Sequence, residues 1–178
     1  MNVKIKEGFL KELAVIVAEH PDYSMKELAE AAGISKATIH RVYETREHLL
    51  ELISRETDEN LKEILDVIEE KHDDYENWLS DIIHSHFIHI EYILFESSGL
   101  NSEACVYGRK YEKAMNAFWS KGKKEGIFSK EVKPEYLTEI FKSAICGAFQ
   151  AIRKGMISQA EAEAAFDSLW ITGILASN

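Results

Sequence analysis

Proline and cysteine are scarce in this sequence: two of each in 178 residues, beside nine glycines. So few breakers predict long helices and few turns. Cys105 and Cys146 are too few for a disulfide scaffold; both lie in apolar helical surroundings, where buried, reduced thiols are expected. No apolar run approaches the roughly 20 residues needed to span a bilayer. The N-terminus mixes Lys4, Lys6 and Glu7 with apolar residues, and no cleavage-type signal follows. These absences exclude the disulfide-rich and membrane-spanning classes and predict a cytoplasmic protein with no membrane partner.

Enzyme motifs are absent as well. Ser120 to Gly126 contains glycine and lysine but lacks the phosphate-loop spacing, and no Gly-x-Ser-x-Gly occurs. Acidic residues are scattered rather than paired. There is no HExxH and no paired CxxC. The expectation is a non-enzyme without a cofactor.

Positive charge is in deficit, at −10 net, which at first argues against nucleic acid as a partner. The distribution matters more. Residues 1–48 hold seven basic against eight acidic side chains, and the remaining 130 hold fourteen against twenty-three. The acidity therefore lies mostly outside the first 48 residues. A chain of this length can bury roughly 70% of its unfolded surface, enough for a real core.

What is present is a helix-turn-helix pattern from Tyr23 to Leu50. Ser24-Met25-Lys26-Glu27 is a capping box, in which Ser24 takes an orphan N–H of the first turn and Glu27 reaches back. Leu28, Ala29 and Ala32 give the first helix an apolar side, and Gly33 ends it. Ser35 caps a second helix that runs to about Val42. Ala29, Gly33 and Ile39 supply the small contact residue, the turn glycine and the apolar anchor such a pair needs. Lys36, Arg41 and Arg46 cluster on the second helix and its exit. By position, Lys36, Thr38, His40 and Arg41 face the groove of a DNA duplex.

Gly33-Ile34-Ser35-Lys36-Ala37-Thr38-Ile39-His40-Arg41-Val42-Tyr43, followed by Arg46-Glu47-His48-Leu49-Leu50, resembles the signature of the TetR family of bacterial transcription regulators. The resemblance is strong from Lys4 to Leu50 and weak but consistent beyond. Ala37, Ile39, His40, Tyr43 and Arg46 stand where that family usually has glycine, leucine, tyrosine, phenylalanine and lysine. The resemblance implies a ligand-responsive regulator, a repressor, that binds a pseudo-palindromic double-stranded operator as a homodimer and answers to an unknown small-molecule inducer. It also implies DNA contacts from Ser24, Ser35, Tyr43 and Arg46, beside the four groove-facing residues.

Along the chain, Val3 to Glu19 reads as a first helix, broken by Pro21. Thr45 caps a long helix from Arg46 to about Lys71. Tyr75 to Ser97 reads as one helix, apolar almost all round. Further helices are expected from Glu103 to Lys124, from Glu135 to Lys154, and after a second capping box at Ser158 to Glu161. No segment reads as a strand. The expectation is all-α, about nine helices, with a three-helix DNA-binding domain at 1–48 and a ligand-binding and dimerisation domain at 49–178.

Aromatic residues concentrate in the middle of the chain. With polar neighbours they suit an apolar small-molecule cavity as well as an ordinary core. Trp78, His86, His89, Tyr92, Glu96, Tyr107, Tyr111 and Met115 are its candidate lining. His86 and His89, at i and i+3, share a helix flank and raise the alternative of a metal-sensing regulator. A helical protein-interaction module without DNA binding is the other alternative. In the last two helices, small residues alternate with large apolar ones. Phe141, Ala144, Ala148, Phe149, Phe166, Leu169, Trp170 and Gly173 are the candidate dimer interface, as a four-helix bundle built from two chains.

Overall fold

A computed structural model describes residues 3–70, 72, 74–100, 106–128 and 131–174. Cys105 and the expected helix start at Glu103 lie outside the described residues. Among the described residues there are nine α-helices and no strand: α1 (Val3–Glu19), α2 (Met25–Ala31), α3 (Lys36–Tyr43), α4 (Arg46–Glu69), α5 (Tyr75–Ile88), α6 (Ile90–Ser97), α7 (Val106–Lys124), α8 (Pro134–Arg153) and α9 (Gln159–Ile174). No described helix is long and apolar enough to cross a membrane.

The helix ends follow the local chemistry of the sequence. Ser24 and Glu27 form both halves of their box: the Glu27 N–H donates to Ser24 Oγ at 3.4 Å, and the Ser24 N–H donates to Glu27 Oε2 at 2.8 Å. Ser158 and Glu161 repeat it before α9. Thr45 Oγ1 accepts the His48 N–H at 3.1 Å and opens α4. Pro134 stands at the first turn of α8, where its missing N–H costs nothing.

One expectation fails in a physically informative way. Tyr75 to Ser97 is two helices, because His89 leaves helical geometry at φ −110° and ψ 22°. Its Nε2 sits 3.1 Å from Glu63 Oε2. The two halves serve different cores. Ile82, Ile83 and Phe87 of α5 are buried in one compact unit, whereas Tyr92 and Phe95 of α6 join the core of the other.

Those units are residues 1–60 with 91–106, and residues 61–90 with 107–178. The core of the first includes Leu13, Val17, Leu28, Ala29, Ile39, Leu49 and Phe95, with Ile34 and Val42 packed on it half-buried. Fully burying a Leu or Ile side chain contributes about 1.5–3 kcal/mol, so Leu28 and Ile39 fix the helix-turn-helix to α1 and α4. The second unit is built on aromatic rings. Trp119 meets Phe118, Phe128, Phe141 and Trp170 at centroid separations from 4.8 to 6.0 Å. Cys146 is half-buried on α8, in the reduced form.

Candidate nucleic-acid interface and ligand site

α3 is a short helix with two distinct sides. Ile39 and Tyr43 are buried against the core of the first unit, with Thr38 and Val42 half-buried beside them. Lys36, Ala37, His40 and Arg41 are exposed. Gly33 enters the turn before α3 at φ 66°, where a residue with a Cβ is strained. The Ile34 N–H then donates to Ala29 O at 2.9 Å, closing the end of α2. Ser35 Oγ accepts the Thr38 N–H at 3.1 Å and lies 2.8 Å from Thr38 Oγ1. The cap and its partner are thus fixed at the N-terminus of α3, the end from which a recognition helix reads base edges.

The exit from α3 is unusual. Glu44 has φ 57° and ψ −74°, positive-φ backbone on a residue that carries a Cβ. The Glu44 N–H donates to His40 O at 3.0 Å, and His40 Nδ1 donates to Glu44 O at 3.0 Å. The histidine and the turn hold each other.

Arg46 and Tyr43 are placed differently from the other expected DNA residues. The Arg46 guanidinium is half-buried and donates to Tyr23 O at 3.2 Å and to Pro21 O. It clamps the α1–α2 loop. Tyr43 is buried, and burial raises its hydroxyl above the ordinary tyrosine range. Ser24 is exposed at the N-terminus of α2. The clamp was not legible in the sequence, because its acceptors are backbone carbonyls more than twenty residues earlier.

The expected ligand residues fall in both units. Tyr92 and Glu96 belong to the first, the other six to the second. Within the second unit His86 and Tyr111 are brought together. His86 is fully buried; Nδ1 donates to Ile82 O at 2.6 Å, and the Tyr111 hydroxyl donates to Nε2 at 2.8 Å. Burial holds the imidazole down at about 4, with the Ile82 bond opposing and His89 adding slightly. Met115 is buried. Trp78 is buried against Phe118 and donates from Nε1 to Val67 O at 3.2 Å. Tyr107 is half-buried, with Lys110 Nζ over its ring at 4.9 Å.

Sequence reasoning missed a second polar region in the same unit. An open groove of about 430 Å³ is lined by Ser80, Asp81, Ile83, His84, Ala160, Glu163, Ala164 and Asp167, on α5 and α9. None of the expected ligand residues lines it. Across it Ser80 donates to Asp167 at 2.7 Å, and His84 Nδ1 lies 2.6 Å from Glu163. These partners are about eighty residues apart in sequence, so no local spacing announces them. Among the described residues no group of three or more His, Cys, Asp or Glu is placed to hold a metal ion.

The expected dimer residues divide by face. Phe141, Phe149, Phe166 and Trp170 are buried within the unit itself. Ala144 and Ala148 are half-buried, while Leu169 and Gly173 are exposed. Tyr136 and Ile140 are large apolar side chains exposed on α8, at 62% and 38%, with Leu169 on α9 at 70%.

Comparison with known proteins agrees with this architecture. No family model matches the chain. The chain is 28% identical over 174 residues to the HTH-type transcriptional regulator NfxB of Pseudomonas aeruginosa, covering 94% of this chain and 92% of that protein. Its fold matches the TetR-like regulator LfrR of Mycobacterium smegmatis with a TM-score of 0.70 at 19% identity, over 96% and 98% of the two chains. The same regulator solved in complex with proflavine matches at 0.63 and 20%, over 97% of each chain. MbdR of Azoarcus sp. CIB matches at 0.70 and 15%, over 94% and 97%. The fold is that of the TetR family of transcriptional regulators.

Proposed function

We propose that this protein is a ligand-responsive transcriptional repressor that binds a pseudo-palindromic DNA operator as a homodimer, acts in the cytoplasm and is not an enzyme. The observation that carries the reading is the outward face of α3. Lys36, Ala37, His40 and Arg41 are presented to solvent by a helix capped at Ser35 and anchored through Ile39 and Tyr43. Residues 1–48 are assigned as the DNA-binding domain and 49–178 as the ligand-binding and dimerisation domain. Ser24, Ser35 and Thr38 support the contact at helix N-termini; Arg46 and Tyr43 support the shape of the head. The dimer face is assigned to Tyr136, Ile140, Ala144, Gly147, Ala148, Leu169 and Gly173. The ligand site is assigned to the second unit around Trp78, His86, Tyr111 and Met115.

A metal-sensing reading through His86 and His89 is less well supported, since both ring nitrogens of His86 are already committed.

The test is DNA selection from a random pool, followed by binding of the selected site. Lys36→Ala and Arg41→Ala should each weaken binding without changing helicity or melting. Loss of a phosphate contact lowers the salt slope by about one unit, and loss of a base contact relaxes one position. Wild-type affinity in both variants refutes the placement of α3 in the groove. Proflavine, which LfrR binds, is the first probe for the ligand arm. A compound that binds the DNA-free form better must weaken DNA binding by the same factor.

A further inference from the structure

We propose that His40 is a specificity-determining residue whose Nε2 accepts a hydrogen bond from an exocyclic amino group in the major groove, adenine N6 or cytosine N4. The proposal rests on the DNA-binding reading above and narrows it to one side chain and one class of base edge.

Three observations carry it. The first is position. With Ile39 and Tyr43 buried, the helical period places Ala37 and His40 in the middle of the exposed face, with Lys36 and Arg41 at its margins. Ala37, one turn earlier, carries only a methyl group, so the imidazole stands clear at the centre.

The second is the tautomer. A carbonyl oxygen only accepts, so the 3.0 Å contact between His40 Nδ1 and Glu44 O requires the proton on Nδ1. In the neutral ring Nε2 is then a bare acceptor. Bases that offer a donor in the major groove are adenine, through N6, and cytosine, through N4; guanine O6 and N7 and thymine O4 are acceptors and have nothing to give it.

The third is rigidity. Glu44 O is not a loose partner: its residue is fixed at φ 57°, its own N–H is held by His40 O, and Thr45 opens α4 directly after it. The ring is therefore oriented by a turn tied at both ends. A preoriented acceptor discriminates better than a side chain free to rotate.

The experiment is selection of operator sites with the full-length protein at about pH 8, where an imidazole is neutral. The selected duplex is then titrated in parallel with duplexes in which the assigned base is replaced by an analogue lacking its exocyclic amino group. Wild type should select adenine or cytosine at one position of each half-site. Loss of the amino group should weaken binding by roughly five- to a hundredfold, the range of a good base contact. The adenine and cytosine analogues distinguish the two sources. His40→Ala should lose selection at that position alone and become indifferent to the analogue. His40→Asn keeps a donor where Nδ1 lies but no acceptor where Nε2 lies; it should behave like His40→Ala while melting like wild type. His40→Gln restores polar reach and should favour adenine. Unchanged selection in His40→Ala, selection of guanine or thymine at the affected position, or indifference of wild type to the analogue overturns the proposal. If wild type selects no sequence and binds no better than a Lys36→Ala/Arg41→Ala double variant, the DNA-binding reading falls and this proposal falls with it.

Discussion

His86 shows how much one buried residue decides. It lies in the second unit with no exposed surface, donating to Ile82 O and accepting from Tyr111. Burial keeps the native ring neutral down to about 4, against an ordinary 6.5. Above pH 6.5 neither state holds the extra proton and the stability is complete. Between 6.5 and about 4 the unfolded chain takes up a proton that the native chain refuses, so stability falls as pH falls. A gap of that size corresponds to about 3 kcal/mol. Glu27 and Glu161, held below the carboxylate range by Ser24 and Ser158, lose their contribution at lower pH still. Urea unfolding at pH 7 and at pH 4.5 should therefore show a loss that His86→Gln largely removes. An equal loss in wild type and variant contradicts a neutral buried His86. The sequence placed His86 on a flank with His89, which made metal binding worth weighing. It did not show Tyr111, because that partner arrives on another helix, 25 residues away.

The helices were legible where their ends are written locally, and obscure where their course depends on distant packing. Both capping boxes, the turn at Gly33 and the start of α8 at Pro134 follow from adjacent residues. The break at His89 does not: no glycine or proline marks it, and the run from Trp78 to Phe95 is apolar almost all round, as one buried helix would be. Gly122 is a similar case. In the sequence it reads as one glycine in a lysine-rich stretch; in the structure it lies in the last turns of α7, and the segment that follows the helix folds back onto it. The Ile127 N–H donates to Gly122 O at 2.8 Å, and the Phe128 ring is laid against the Gly122 Cα. A Cβ there would stand 2.4 Å from two Phe128 ring carbons and 3.2 Å from the Tyr75 ring. Phe128 is buried and wedged among Tyr75, Phe118 and Trp119, so it has little room to withdraw. Alanine's better helix propensity is worth about 1 kcal/mol, and the overpacking costs about 1–3 kcal/mol. Gly122→Ala should therefore lower the melting temperature despite the usual gain, and Phe128→Leu should restore part of it. A melting temperature raised by Gly122→Ala alone would falsify this account of the packing.

For the whole molecule, the proposed function raises the question of how a chain of net charge −10 would hold a polyanion. The first 48 residues are near neutral and expose Lys36 and Arg41, while the excess of acid lies in the other 130. On the proposed reading one head would make few phosphate contacts, so useful affinity would require two heads on successive turns of the groove, about 34–36 Å apart. The proposed dimer face would supply that pairing. The sequence marked α8 and α9, but with small and large apolar residues distributed around both it did not say which side faced inward. Phe141, Phe149, Phe166 and Trp170 are consumed by the unit's own core, whereas Tyr136, Ile140, Ser143 and Gly147 recur every three to four residues on the exposed side of α8. Ile140→Glu with Leu169→Glu places two charges at exposed positions of α8 and α9 without touching the core. The double variant should keep wild-type helicity, sediment as a monomer of 20.3 kDa, bind DNA weakly, and show about half the wild-type salt slope because half the phosphate contacts are gone. Phe141→Ala should instead lose about 3–5 kcal/mol of folding stability, as a buried ring does. A double variant that remains dimeric moves the interface elsewhere. One that is monomeric yet keeps the full salt slope means that a single head makes all the phosphate contacts, and pairing then has no part in DNA binding.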